Sequence, residues 1–319
     1  MAQAPNIYVG TVGQSVWRSQ DGGESWKKSS KGMFSESDIR ALAADPNDPS
    51  ILFAGTETGI YRSKNGGDNW EQPDSELNQR QIWSLAIDPK DSNTIFAGTC
   101  PSAFFKSEDG GDSWKQLSVE LAADCGAIIP RVTTMIIDPE DSQTIYAGIE
   151  IDGMRVSHDG GETWKAVNEG LSSQDVHGLT VVPGQTKTIV AATNNDICVT
   201  TDLVSWTPLK VKEHFPWGYC RSALYVSESA NRVYVGAGNG PPGDQGGLFY
   251  TSNLGETWER ADLGGNSNST IWCVVKNPAI NDWIMAYSVS GQIFRSTDNG
   301  DTWKKLAREF GEVRALAIV

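Results

Sequence analysis

Arginine, histidine and tryptophan recur at one position of an otherwise apolar strand pattern. Seven short strands, aligned on a shared Leu or its equivalent, place Arg40, Trp83, Thr133, His177, Arg221, Trp272 and Arg314 two residues ahead of it. The fifth of these, Tyr219-Cys220-Arg221-Ser222-Ala223-Leu224, also admits a one-residue slip. Guanidiniums gathered at one level repel one another and lose hydration, which a carboxylate, sulfate or phosphate offsets through bidentate hydrogen bonds. Arg131, two residues above Thr133, can join Arg40, Arg221 and Arg314 in holding such an anion, with Trp83 and Trp272 as flat walls that stack on a ring. His177, with Tyr219 or a loop carboxylate, is placed to move protons. Glu57, Glu150 and Asp152 are the loop carboxylates available for glycoside cleavage, although nothing in their spacing fixes a catalytic separation. The same residue types also admit a purely structural use. Arginines there can pair with Glu57, Glu150, Asp152, Asp196, Glu309 or Glu312, and the tryptophans can pack between neighbouring units.

The elements that carry this column are set by a repeat. The phrase Ser-x-Asp-Gly-Gly-x-Ser/Thr-Trp ends at Trp26, Trp70, Trp114, Trp164, Trp206, Trp258 and Trp303, in steps of 44, 44, 50, 42, 52 and 45 residues. A period in the forties, with each unit too small to bury its own hydrophobic face, means stacked supersecondary units. Asn65 replaces the aspartate in the second copy and Asn299 a glycine in the seventh, Leu254 and Asn253 alter the sixth, and the fifth, ending at Trp206, lacks both glycines. An Asp or Asn side chain caps the turn, the glycines permit positive φ, and the Trp is expected to pack back over its own turn as a hairpin staple.

Alternation supplies the strands. Gly59-Ile60-Tyr61-Arg62-Ser63 and Gln292-Ile293-Phe294-Arg295-Ser296 precede two of the phrases. Segments such as Ile51-Leu52-Phe53-Ala54-Gly55 and Thr144-Ile145-Tyr146-Ala147-Gly148 come before those, after a first strand ending in Asp-Pro, as at Asp45-Pro46, Asp88-Pro89 and Asp138-Pro139. With a short strand at each Trp, four antiparallel strands repeat seven times, which predicts an all-β, seven-bladed β-propeller over residues 1–319 as a single domain. The chain opens on a second-type strand, Asn6-Ile7-Tyr8-Val9-Gly10, and ends on a first-type strand, Val313-Arg314-Ala315-Leu316-Ala317-Ile318. The last strand is therefore expected to complete the first blade and remove its open edge.

The phrase resembles the Asp-box, or bacterial neuraminidase repeat, and the Asp-Pro-x-Asp-x-x-x-Ile-x-Ala-Gly segment is similar to that of xyloglucanase-type glycoside hydrolases and sortilin-like propellers. The resemblance runs along roughly the whole chain. It implies the propeller fold and a ligand face opposite the boxes, so that residues inside a box, including His158, are not site candidates. The repeat is shared by sialidases, glycan hydrolases, sorting receptors and photosystem II assembly factors. The arginine group is similar to the sialidase arginine triad, yet sialidases usually have six blades and their Tyr/Glu and Asp motif has no counterpart here. Xyloglucanase-type enzymes use two propellers with catalytic Asp residues in the cleft between them.

Composition narrows the partners. The 319 residues include 33 glycines, 39% hydrophobic residues and a net charge of −14. That charge argues against nucleic acid and anionic membranes as partners. No apolar run reaches membrane-spanning length and no signal segment opens the chain, giving the expectation of a cytoplasmic protein, or of an exported one whose signal has been removed. The five cysteines lack zinc-type spacing and read as reduced small hydrophobes, with Cys100 and Cys125 close enough in expected loops for a disulfide. No cofactor or metal is expected.

Three segments interrupt the repeat on the side of the arginine column: 117–130, including Asp124, Cys125 and Gly126; the aromatic stretch 211–219, with His214; and the Gly/Pro-rich 238–247. Insertions of this length bind, gate or recognise, and these are expected to roof His177, Arg221 and Trp272. Two functions follow. One is a hydrolase or lyase acting on an anionic, carboxylate-bearing small molecule or glycan, with His177 as base. The other is a non-catalytic propeller that captures a peptide or protein on its arginine-bearing face.

Overall fold

The computed structural model describes residues 4–122, 129–226, 230–277 and 282–319. The chain is an all-β, seven-bladed β-propeller of antiparallel blades, numbered I to VII in chain order. It divides into two compact units, Met1–Ala166 with Arg314–Val319, and Val167–Val313.

In the first unit, blade I joins the C-terminal strand Val313–Ile318 to Ile7–Thr11, Ser15–Ser19 and Lys27–Lys28. The expected closure is therefore present, and the Asn6 and Val319 main chains exchange hydrogen bonds of 2.8 and 2.9 Å. Blade II comprises Ile39–Ala44, Leu52–Thr56 and Gly59–Ser63, with the outer strand reduced to a bridge between Arg62 and Glu71. Blade III comprises Gln81–Ile87, Ile95–Cys100, Phe104–Ser107 and Lys115–Gln116. Blade IV comprises Val132–Ile137, Ile145–Ile149, Gly153–Ser157 and Lys165–Ala166. Its hydrophobic clusters lie between blades: Phe53 and Ile60 of blade II pack with Ile82, Ile95 and Phe105 of blade III. The alternating strand thus buries both faces, and the second-strand glycines set how closely blades approach. A Cβ at Gly55 would stand 2.8 Å from Cγ2 of Ile82 and 3.1 Å from its carbonyl oxygen.

In the second unit, blade V comprises Val176–Val182, Thr188–Thr193, Ile197–Thr200 and Thr207–Pro208. Blade VI comprises Tyr219–Val226, Arg232–Gly238, Gly246–Thr251 and Glu259–Arg260. Blade VII comprises Ile271–Lys276, Ile284–Ser288, Ile293–Ser296 and Lys304–Lys305. The aromatic insertion is not a roof. Its 3₁₀ turn Val211–Glu213 leads into Phe215, which is 4% exposed and stacks on Phe249 with ring centroids 3.9 Å apart. The insertion plugs the core between blades V and VI, while His214 is left exposed.

The boxes form the turns between third and outer strands. In the first, Ser19 Oγ accepts the Gly23 N–H at 2.8 Å, Asp21 accepts the Ser25 N–H at 2.9 Å, and Gly22 and Gly23 take φ of 72° and 98°. Where glycine is missing the turn persists, and Leu203, Leu254 and Asn299 are forced to φ of 55°, 53° and 59°. The staple expectation holds for Trp26, Trp164 and Trp303, whose indole N–H groups donate to Gly23, Gly161 and Gly300 of their own turns. It fails for Trp70 and Trp206, which donate to the carbonyls of Ser29 and Val167 near the outer strand of the preceding blade. Trp70 is thus a rivet between blades I and II, and the two rings are only 4% and 3% exposed.

Candidate functional site

The column legible in the sequence is a column of β-bulges. In six inner strands the register with the second strand skips one residue: between Ile39 and Ala41, Ile82 and Ser84, Val132 and Thr134, Val176 and Gly178, Cys220 and Ser222, and Ile271 and Cys273. The skipped residues are Arg40, Trp83, Thr133, His177, Arg221 and Trp272, which also settles the fifth alignment on Arg221 without a slip. A bulge re-aims one side chain while the strand on either side keeps its pairing. Each bulge lies opposite the end of the second strand, so the column shares an end with the loops between second and third strands, at Glu57, at Glu150 to Asp152 and at 239–245.

In the first unit the inner strand of blade III, with Trp83, packs between those of blades II and IV. Arg40 reaches the indole from one neighbour and Arg131 from the other, with guanidinium carbons 4.7 and 4.2 Å from the ring. Both arginines also meet acids. Glu150 grips Arg131 through both carboxylate oxygens, the longer contact being 2.6 Å to Nη2, and Asp38 accepts from Arg40 Nη2 at 3.0 Å. Glu57 accepts the Asp38 N–H at 2.8 Å. Asp152 is buried, and both its oxygens lie 2.9 Å from Arg155 Nη2. The Cys100 thiol feels the charges of Arg131, Glu150 and Arg40, and burial pushes its pKa up. Cys125, and with it the expected Cys100 to Cys125 pairing, lies outside the described residues. Arg314 occupies the second position of its strand, half-buried, and its neighbour Ala315 shares a hydrophobic cluster with Ile39, the neighbour of Arg40.

In the second unit Arg221 lies over Trp272, 4.0 Å from the ring, and the indole is 8% exposed. The His177 side chain is 2% exposed. Its Nδ1 is 2.8 Å from the Cys220 carbonyl and its Nε2 is 3.1 Å from Asp175 Oδ1. Burial, then the nearby Arg221 charge, hold the imidazole pKa below its ordinary value, with Asp175 and the Cys220 carbonyl opposing. Tyr219 meets the imidazole edge-on, with centroids 5.2 Å apart. The 239–245 loop is fastened to the approach of the Trp272 strand, with Thr270 Oγ1 donating to the Gly240 carbonyl at 2.6 Å.

Both ring nitrogens of His177 lie against acceptors of its own protein, and arginines lie over both tryptophans, two on Trp83 and one on Trp272. Sequence reading also missed a second column. Asp38, Gln81 and Asp175 lie two residues ahead of Arg40, Trp83 and His177, and each touches that partner, at 3.0, 3.3 and 3.1 Å. The available signal was the recurring two-residue spacing at the entry to each inner strand, with Asp38 and Asp175 just ahead of Ile39–Ala44 and Val176–Val182. Among the described residues no group of three or more His, Cys, Asp or Glu is placed to hold a metal ion, and no helix is long and apolar enough to cross a membrane.

Comparison with known proteins agrees with the fold. The sortilin (neurotensin receptor 3) family matches residues 14–123 and 58–150, and the BNR/Asp-box repeat matches 155–166 and 294–305. No curated protein matches the sequence. Among solved structures, the chain is similar to YCF48 bound to D1 peptide, at 14% identity and a TM-score of 0.59, covering 85% of this chain and 81% of that one. An ancestral GH74 enzyme shares 20% identity with a TM-score of 0.69, covering 95% of this chain and 45% of the enzyme. The GH74 enzyme of Niastella koreensis shares 19% with a TM-score of 0.64, covering 84% of this chain and again 45% of the enzyme. The chain thus spans under half the length of these glycosidases. With Asp-box turns recurring between third and outer strands and closure through its last strand, the chain is a seven-bladed β-propeller that carries Asp-box, or BNR, repeats.

Proposed function

We propose that this chain is a non-catalytic binding propeller whose bulge column holds acidic groups of a peptide or protein partner. One observation carries the reading: the groups that would do chemistry are already engaged by the protein. Glu150 holds Arg131, Asp152 holds Arg155, Glu57 accepts a main-chain N–H, and His177 faces two internal acceptors. A glycosidase needs one carboxyl group ready to give a proton and a second ready to attack or to activate water. An arginine whose guanidinium carbon lies 4.0 to 4.7 Å from an indole ring is held by cation–π attraction while its planar fork of N–H groups suits a carboxylate. Peptide binding has a precedent in the similar YCF48 structure with its D1 peptide.

The test is fluorescence polarisation with labelled Glu-rich peptides and their Gln-substituted counterparts, beside turnover assays on oligosaccharides and uronates. Acidic peptides are expected to bind, to weaken as salt rises, and to lose about tenfold in affinity in Arg40→Ala and Arg221→Ala. Turnover of any glycan that falls about 100-fold or more in Glu57→Gln or His177→Gln would overturn the reading.

A further inference from the structure

Asp175 has no role in the column as the sequence presents it, yet it stands against the most buried titratable member. The Cys220 carbonyl can only accept, so the proton of a neutral imidazole is held at Nδ1, 2.8 Å away. That leaves an Nε2 lone pair 3.1 Å from Asp175 Oδ1. Two electron-rich atoms then face each other away from water, and a second proton on the ring turns repulsion into attraction. The charged and titratable groups facing the ring are Asp175 from its own approach segment, and Arg221 and Tyr219 from the inner strand of blade VI. The paired second strand of blade V brings only Thr193 and Ala192 opposite the bulge.

We infer that Asp175 and His177 form a proton-operated gate on the anion site at Arg221. The inference rests on the binding reading above and adds its regulation. With His177 neutral, the Asp175 charge offsets that of Arg221 and the cluster has little net attraction for an anion. Uptake of one proton leaves the cluster with one net positive charge. The sign follows from the burial of the ring and the Arg221 charge, which hold its protonation below the ordinary histidine range near 6.5. Anion affinity is low at neutral pH and rises as pH falls through the His177 midpoint; a bound anion in turn raises that midpoint.

The probe is sulfate, which does not titrate between pH 5 and 8. Its affinity is measured calorimetrically across that range, while the His177 ring is followed by proton NMR beside the two other histidines, His158 and His214. Wild type is expected to bind sulfate about tenfold more tightly at pH 5 than at pH 8, the size of one unit of coupling. Asp175→Asn should bind more tightly than wild type at pH 8, with its acid rise displaced to lower pH, and His177→Gln should lose the rise. Equal wild-type affinity at both pH values, or a rise that survives His177→Gln, overturns the gate and leaves the arginine site standing. An absence of sulfate binding at every pH overturns the anion reading itself. In that case a His177 midpoint unchanged by Asp175→Asn removes the pair as well.

Discussion

Glu150→Gln separates the roles open to this face, because they give opposite signs. Glu150 holds Arg131 with both oxygens, and the two side chains are 13% and 30% exposed. Glutamine keeps the shape and surrenders the charge. A charge-assisted hydrogen bond contributes roughly 1.5–3 kcal/mol when well formed, and partial exposure screens it toward about 1–2 kcal/mol here. With an unfolding entropy of about 2.1 cal/mol/K per residue over 319 residues, that is a fall in Tm of about 2 °C. The released guanidinium no longer has its charge cancelled, so affinity for an acidic peptide should rise several-fold even as the fold weakens. The assay is peptide polarisation beside differential scanning calorimetry. A catalytic Glu150 would give the reverse pattern, with little change in binding and a rate loss of about 100-fold or more. Weaker acidic-peptide binding in Glu150→Gln would refute the argument that this carboxylate restrains Arg131.

Three further outcomes follow from the fold. A chain ending at Glu312 loses Val313, Leu316 and Ile318, all at most 5% exposed, each contributing about 1.5–3 kcal/mol, and it opens the edge of blade I; it should be aggregated and recovered by a 313–319 peptide added in trans, and a soluble truncated form with native circular dichroism would contradict this. Gly55→Val places branched atoms on Ile82 and should cost about 1–3 kcal/mol or more in urea unfolding, whereas an unchanged midpoint would show that the blades can separate. The Asp159 carboxyl is lowered to about 2, first by the Thr163 hydroxyl and then by its N–H, and Asp109 is lowered in the same way by Ser113. A depressed carboxyl contributes stability that is present above its unfolded pKa and lost as pH falls through the folded one. Asp159→Asn should therefore be less stable than wild type at pH 7, with the two acid-unfolding curves converging toward pH 2; a constant gap would refute the assignment.

The fold was legible because two signals of different period agree. The box fixes where each hairpin turns, and strand alternation fixes what lies between boxes. Even Thr200 to Trp206, with both box glycines gone, keeps its turn: Asp202 still accepts the Val204 and Ser205 N–H groups, at 2.8 and 3.2 Å, while Leu203 takes the left-handed conformation. The indole partners of Trp70 and Trp206 were illegible, because a tryptophan that staples its own turn and one that donates to an earlier segment of the chain occupy the same place in the phrase. The plug at Phe215 was misread for a similar reason. An aromatic insertion at the end of a repeat that carries the column looks like a lid until Phe215 is seen packed against both Phe249 and Trp258.

The column of bulged residues was legible in the sequence, and the partners of those residues were not. Alignment on a common leucine finds the bulge residue, since the bulge recurs at the same register in six strands, but it is silent about what each bulged side chain meets. Those partners come from two directions that a linear pattern separates poorly. One is the residue two places earlier in the chain: Asp38 for Arg40, Gln81 for Trp83 and Asp175 for His177. The other is the neighbouring blade, which brings Arg40 and Arg131 to Trp83 and the Cys220 carbonyl to His177. Arginine and tryptophan in one column therefore read as a clamp with separate walls, and in three dimensions the arginines lie upon the tryptophans. The bulge makes this possible: in six strands it re-aims one side chain without disturbing neighbours such as Ile39, Ile82 and Val176, all fully buried. Chemistry at that position can then vary from arginine to threonine to histidine while the apolar strand stays the same, so fold and site are written in adjacent but independent letters.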